Sequence, residues 1–194
     1  MKLAMTINEL NQFYALKLQP ESERQYDFVL GEGNTQSPLL MLIGEAPGEQ
    51  EVLQKRPFVG KAGKNLDEFL TFMQIHREDI YITNTVKFRP TKVSARGRES
   101  NRAPTRKERA LFIPWLMREI DTVKPHIIVT LGNTPLQAVL GEQVVIGDLH
   151  GRLVTNSQGK MLFPLYHPAA VIYNRSLLDV YHHDLSALKT VVSK

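Results

Sequence analysis

An apolar run that breaks into a glycine- and proline-rich turn constrains this chain most: Leu39-Leu40-Met41-Leu42-Ile43, then Gly44-Glu45-Ala46-Pro47-Gly48. A short apolar run between Pro38 and Gly44 fits a strand buried on both faces, although a buried helix segment of this length has the same signature. Two glycines and a proline within five residues enforce a sharp turn. Open α/β sheets hold ligands where a strand ends in such a turn, and Glu45 is the turn's only ionisable group. A second glycine-rich loop, Arg56-Pro57-Phe58-Val59-Gly60-Lys61-Ala62-Gly63, is expected to expose one aromatic ring. After it, Leu66, Phe69, Leu70 and Met73 are spaced as on a helix.

Three more apolar runs follow. Residues 80–83 are rich in β-branched and aromatic side chains and deliver Asn84. Residues 126–131 turn at Gly132-Asn133-Thr134-Pro135, and residues 160–165 lead to Tyr166-His167-Pro168. Helical patterns lie between the runs. One lies near the N-terminus, with Ile7, Leu10, Phe13 and Tyr14, and ends at Pro20. Another covers 106–123 behind a Thr105/Glu108 capping box, with Pro114 marking a kink or a late start. Residues 136–140 stop at Gly141, and 177–192 form a terminal amphipathic helix. This alternation predicts an α/β three-layer sandwich with a central, mainly parallel four-stranded sheet flanked by helices. No repeat or linker divides the chain, so 1–194 is expected to be a single domain.

Hydrophobic residues make up 42% and charged residues 23% of the 194 positions, the balance of a globular protein with a core. No run approaches the roughly 20 apolar residues of a membrane span. The first residues lack the apolar core of a secretory signal, so a cytoplasmic protein is expected. The net charge is +4. Its distribution is more telling: Lys87, Arg89, Lys92, Arg96, Arg98, Arg102, Arg106, Lys107 and Arg109 face only Glu99 and Glu108 over the same stretch. Such clustering suits a polyanion. Within it, residues 91–100 read as a mobile, solvated loop leaving the strand end that carries Asn84. The chain has no cysteine, which excludes disulfides and thiolate-held metal.

Taken in order, Gly31-Glu32-Gly33-Asn34, the GEAPG turn, RPFVG, Gly60-Lys61-Ala62-Gly63, Val86-Lys87-Phe88-Arg89-Pro90, Asn101-Arg102-Ala103-Pro104 and His167-Pro168-Ala169 resemble the motifs of the uracil-DNA glycosylase superfamily, specifically its family-4 enzymes. The resemblance runs from about Gly31 to the C-terminal helix. It implies an enzyme that flips uracil out of single- or double-stranded DNA, hydrolyses its glycosidic bond and works as a monomer. It implies catalytic roles for Glu45, which orients water, and His167, which donates to uracil O2. Asn84 reads the base edge, Phe58 stacks on it, and Ala46 and Pro47 line the pocket floor. The basic charge itself is expected to contact DNA through Lys87, Arg89, Lys92, Arg96, Arg98 and Arg102, residues 91–100 being an insertion relative to the family, with Arg175 on a phosphate beside Val171 and Ile172 as an apolar wedge.

Each of these residues has a plainer reading. Glu45 could cap the turn, His167 could be structural before its proline, Asn84 could end a strand, and Phe58 could be core. Most family-4 enzymes hold an iron–sulfur cluster on four cysteines. Here Phe88 and Phe112 stand at two of those positions, and Leu16-Lys17-Leu18-Gln19-Pro20 replaces the N-terminal pair. Neither metal nor cofactor is expected, and aromatic packing is expected in the vacated volume. The alternative function is a protein of the same fold that binds uracil-containing or single-stranded DNA without turnover, or traps it covalently. The trapping relatives use a histidine in a basic loop, and residues 91–104 contain none.

Overall fold

Each of the four apolar runs becomes a strand, and the strands lie side by side. The computed structural model describes residues 5–19 and 26–193, without the side chains of Ile172 and Tyr173. In chain order the elements are α1 (Ile7–Leu18), β1 (Glu32–Gly33), β2 (Leu40–Gly44), α2 (Glu49–Gln54), α3 (Lys61–Met73), β3 (Tyr81–Asn84), β4 (Thr91–Val93), β5 (Glu99–Asn101), α4 (Arg106–Val123), β6 (Ile127–Leu131), α5 (Asn133–Leu140), α6 (Ile146–Leu149), β7 (Val154–Thr155), β8 (Met161–Leu165), α7 (Pro168–Tyr173) and α8 (Leu178–Val192). Pro20, expected to end the first helix, lies outside the described residues.

The main sheet has the order β1-β3-β2-β6-β8-β7. Its inner four strands are parallel, as the sequence predicts. It also gains two antiparallel edges, β1 on β3 and β7 on β8. Each edge strand is only two residues long, too short to show a pattern of alternation.

The helices cover both faces, and the parity of β2 decides which residue meets which layer. Leu40 and Leu42 pack against Leu66, Phe69, Leu70 and Met73 of α3 and Tyr181, Leu185 and Leu188 of α8. Met41 and Ile43 pack against Leu116, Ile120 and Val123 of α4 and Val139 of α5. Each fully buried Leu, Ile or Phe contributes roughly 1.5–3 kcal/mol. Helix α4 opens on the expected Thr105/Glu108 capping box and continues through Pro114.

A third, smaller cluster ties α1 to α4 and to the segment after β3, through Leu10, Leu18, Val86, Phe88, Phe112 and Trp115. Among the described residues no helix is long and apolar enough to cross a membrane.

The chain leaves β2 to build β3 on one side, then crosses back to build β6 on the other. The crevice outside the carboxyl ends of β2 and β6 is therefore a topological switch point, where open α/β sheets bind ligands.

Candidate active site and DNA-facing surface

Four strand ends open on this crevice. β2 ends at Gly44 and passes to Glu45. β3 ends at Asn84, directly beside Gly44 in the register. β6 leads into Gly132 and the first turn of α5, and β8 into His167. After β3 the chain stays against the first turn: Thr85 N–H donates to Gly44 O at 2.8 Å and Val86 N–H to Glu45 O at 3.0 Å.

Glu45 is half-buried, and Thr134 Oγ1 donates to its Oε2 at 2.5 Å. Its other oxygen accepts no hydrogen bond among the described residues. Thr134 escaped the sequence reading because a hydroxyl in the first turn of a helix gives no periodic signal.

Asn84 is 3% exposed, yet its side-chain amide has no hydrogen-bond partner among the described residues. A buried, unpaired amide has both a donor and an acceptor to offer. It shares a small space with the Phe58 ring. A Cβ placed on Gly44 would lie 2.4 Å from Asn84 Oδ1 and 2.5 Å from Phe58 Cζ. Gly44 is thus the residue whose missing side chain leaves room between the amide and the ring.

Phe58 is 5% exposed, so the ring the sequence expects on the surface faces inward. Its backbone is left-handed, with φ +51°, a conformation unfavourable for a bulky residue unless its surroundings enforce it. Two charged side chains do so. Glu51 accepts from Val59 N–H at 3.2 Å, Gly60 N–H at 2.7 Å and Gly48 N–H at 3.0 Å, joining both glycine-rich loops through one carboxylate. Arg77 donates to Phe58 O at 3.2 Å and to Pro57 O, and is itself held by Glu32. Gly63 lets the first turn of α3 approach, since a Cβ there would fall 2.1 Å from Phe58 O. Glu51 was legible in principle, because it stands three residues after Gly48, where a capping carboxylate turns back.

His167 is the N-cap of α7, and its Nδ1 accepts from Ala169 N–H at 3.1 Å. That bond leaves the proton of the neutral ring on Nε2. Burial pushes its pKa below the usual histidine value, with the Glu45 carboxylate opposing the shift. The imidazole is therefore a neutral Nε2–H donor near pH 7. Its ring lies 6.4 Å from that of Phe58, with the planes 27° apart. Pro47 is buried and Ala46 half-buried, the latter against the aromatic cluster behind the turn.

The expected DNA contacts divide sharply. Lys87 is a correction: it is fully buried, and its Nζ donates to Glu119 Oε2 at 2.5 Å, Thr83 Oγ1 at 2.5 Å and Asn84 O at 2.7 Å. Burial lowers its pKa and Glu119 opposes that. It braces the strand end and has no route to a phosphate. Glu119 lies between Leu116 and Ile120 on the buried side of α4, the sequence signal that an inward cation is needed.

Residues 91–101 are a second correction, being an antiparallel hairpin rather than an irregular loop. Lys92, Arg96 and Arg98 are exposed on it. Arg89 and Arg102 are held by protein groups, Arg89 by Asn101 and Arg102 by the Glu108 carboxylate. Arg175 is exposed in the short turn before α8. Val171 is half-buried against the core, while the side chain of Ile172 lies outside the described residues.

An iron–sulfur cluster does not fit these residues. The chain supplies no thiolate. Phe88 and Phe112 are buried with ring centroids 5.6 Å apart, and Tyr26 lies 4.4 Å from Phe88. Phe28, Trp115 and Tyr14 continue the aromatic stack. Among the described residues no group of three or more His, Cys, Asp or Glu could hold a metal.

The chain is 38% identical over 173 residues to a type-4 uracil-DNA glycosylase of Saccharolobus solfataricus, covering 85% of this chain and 76% of that protein. It is 37% identical to that of Thermotoga maritima over 169 residues, 86% of this chain and 83% of the relative. In three dimensions it is similar to the crystal structure of wild-type Pedobacter heparinus SMUG2, with TM-score 0.52 and 15% identity over 82% of this chain and 77% of the other. Residues 30–189 match the family model described as the uracil DNA glycosylase superfamily, and the chain belongs to that superfamily.

Proposed function

We propose that this chain removes uracil from DNA by hydrolysing its N-glycosidic bond, the opening step of base-excision repair. The observation that carries this reading is the convergence of Glu45, Asn84, Phe58 and His167 at the switch-point crevice. The uracil nucleotide leaves the stack, as base-modifying enzymes require. Its ring lies against Phe58, above a floor formed by Ala46 and Pro47. Asn84 donates to O4 and accepts from N3–H, a polarity that cytosine reverses.

As the C1′–N1 bond breaks, its electron pair moves into the base. The negative charge gathered at O2 meets His167 Nε2–H, and the sugar gains oxocarbenium character. Glu45 stabilises that cation and directs a water to C1′, taking the water's proton as the new C–O bond forms. The products are an abasic site and the uracil anion, which becomes neutral uracil on taking a proton from solvent, while Glu45 returns its proton to water. A rigid, neutral donor suits this step, since it needs no reorganisation as charge appears.

The substrate is uracil-containing DNA. The full chain acting as one domain, a monomeric state and a cytoplasmic location are parts of the same proposal. Arg175, in the turn after α7, is assigned to the phosphate next to the flipped nucleotide, and Val171 and Ile172 of α7 to its displaced neighbours.

Single-turnover cleavage of a uracil-containing oligonucleotide, followed by alkaline strand scission, tests the reading. The expected result is scission with the native protein and a rate reduced by about 10²–10⁴ in Glu45→Gln, the range for losing a general base. Tight binding of uracil-containing DNA with no abasic product would instead establish a binding protein.

A further inference from the structure

The basic segment after β3 is a ribbon. Thr91 pairs with Asn101, Lys92 with Ser100 and Val93 with Glu99. Its tip is closed by Ser94 N–H to Arg98 O at 2.9 Å, Gly97 N–H to Ser94 O at 2.9 Å and Arg98 N–H to Ser94 Oγ at 3.1 Å. Gly97 supplies the left-handed corner with φ +74°.

Its root is fixed on both sides. Arg89 Nε donates to Asn101 Oδ1 at 2.7 Å, and Arg102 Nε to Thr91 O at 2.9 Å. Arg102 also makes a two-point contact with Glu108, at 2.7 and 2.6 Å. Strand alternation puts Thr91, Val93, Glu99 and Asn101 on one face and Lys92 with Ser100 on the other. The first face looks toward the turn that holds Glu45: Asn101 Nδ2 lies 3.3 Å from where a Cβ on Gly48 would sit.

Charge on the ribbon is unbalanced. Lys92, Arg96 and Arg98 are exposed, and their side chains make no hydrogen bond or ion pair among the described residues. The ribbon's own carboxylate, Glu99, lies 4.0 Å from Arg89 rather than against these three cations. Cations that only solvate a surface are usually interspersed with acids. Here three are carried on an anchored element that starts beside the crevice.

We propose that this ribbon enters the major groove of duplex DNA next to the flipped nucleotide, which makes the partner a double-stranded segment rather than the damaged strand alone. Width decides the groove. Two strands about 4.8 Å apart, with side chains on either side, fit the major groove of about 12 Å and exceed the minor groove of about 6 Å. The anchored root keeps the ribbon paired before contact, so little ordering remains to oppose binding. The proposal rests on the reading of the crevice as the site of a flipped base. Its salt-series test uses DNA without uracil, so that outcome is independent of excision.

Binding of uracil-free duplex and single-stranded DNA of equal length is measured across a salt series, for the native chain and for Lys92→Ala/Arg96→Ala/Arg98→Ala. If all three cations reach phosphates, the slope of log affinity against log salt on the duplex flattens by about 2–3, near 0.9 per contact. The ratio of duplex to single-strand affinity falls at least fivefold. In dimethyl sulfate footprinting, native protein bound to uracil-containing duplex shields guanine N7 on one side of the lesion, and the variant does not. Arg96→Glu, at the exposed tip, alters no strand and should flatten the duplex slope by about 0.9, one contact, with the same direction of change in the affinity ratio. Equal losses on both forms of DNA, an unchanged slope, or no N7 protection by the native protein would overturn the proposal.

Discussion

Glu45 and Thr134 meet across the crevice between β2 and β6, with the threonine hydroxyl donating to Glu45 Oε2. One carboxylate oxygen is thereby fixed, and the other accepts no hydrogen bond among the described residues. The loop after β2 supplies the charge, and the helix after β6 sets its direction. Thr134→Val is expected to lower the single-turnover rate about tenfold, or ~1.4 kcal/mol in the barrier, in line with one hydrogen bond to a charged group. The half-saturating DNA concentration should change less than twofold, and Thr134→Ser should restore most of the rate. Equal rates for the Val and Ser variants would remove Thr134 from the machinery.

Gly44→Ala tests the pocket itself. The added methyl would fall on Asn84 Oδ1 and on the Phe58 ring, so it competes with the base for the same space. Excision should fall at least 100-fold while binding to uracil-free DNA persists. Retention of more than a tenth of the native rate would mean that the base lies elsewhere.

The strands and most helices were legible because their apolar spacing is dictated by burial, and Leu40 to Ile43 show both faces of the sheet in one run. Glu45, Asn84 and His167 were legible as candidates because each stands within two residues of the end of an apolar run. The rest depends on distant partners. Lys87 resembles its basic neighbours in sequence, and only Glu119 on α4 draws it inward. Thr91 and Val93 are too few to announce a strand among serines, arginines and a glycine. Glu51 and Arg77 act through backbone groups of another loop, which no side-chain pattern records.

The depressed pKa of His167 gives a pH dependence of known sign. Above its ordinary value of 6.5 both folded and unfolded chains hold the ring neutral, and it contributes nothing. As pH falls below that value, the unfolded chain takes up a proton that burial denies the folded one, so stability declines until the folded pKa is reached. Urea midpoints should fall between pH 7.5 and 5.5 in the native protein, and by less in His167→Gln. Identical declines in both would show that the ring is not protected from protonation.

Lys87→Met should destabilise the fold by about 3–5 kcal/mol, because it leaves the Glu119 carboxylate buried without its cation. Tyr81 and Thr83 would still donate to that carboxylate. Adding Glu119→Gln should recover at least half of the loss in urea unfolding. The salt slope for DNA should match the native one, since a fully buried ammonium releases no counterion. A flattened slope would return Lys87 to the DNA-facing surface.

The purified protein should carry no iron. Phe88 and Phe112 are packed as buried rings at two positions where the family resemblance places cysteines, and no cysteine is available as a ligand. Elemental analysis giving stoichiometric iron would contradict this.

That aromatic stack also contains the chain's single tryptophan. Trp115 is fully buried, lies nearly parallel to Tyr14 of α1 at 5.4 Å, and donates from Nε1 to Asn11 Oδ1 at 3.0 Å. Because no second indole competes, the intrinsic fluorescence of the whole protein reports on one seam, where α1 lies on α4. Peeling of the N-terminal helix would wet the indole and redden its emission while the sheet stays closed, giving the molecule an internal optical gauge of its own fraying.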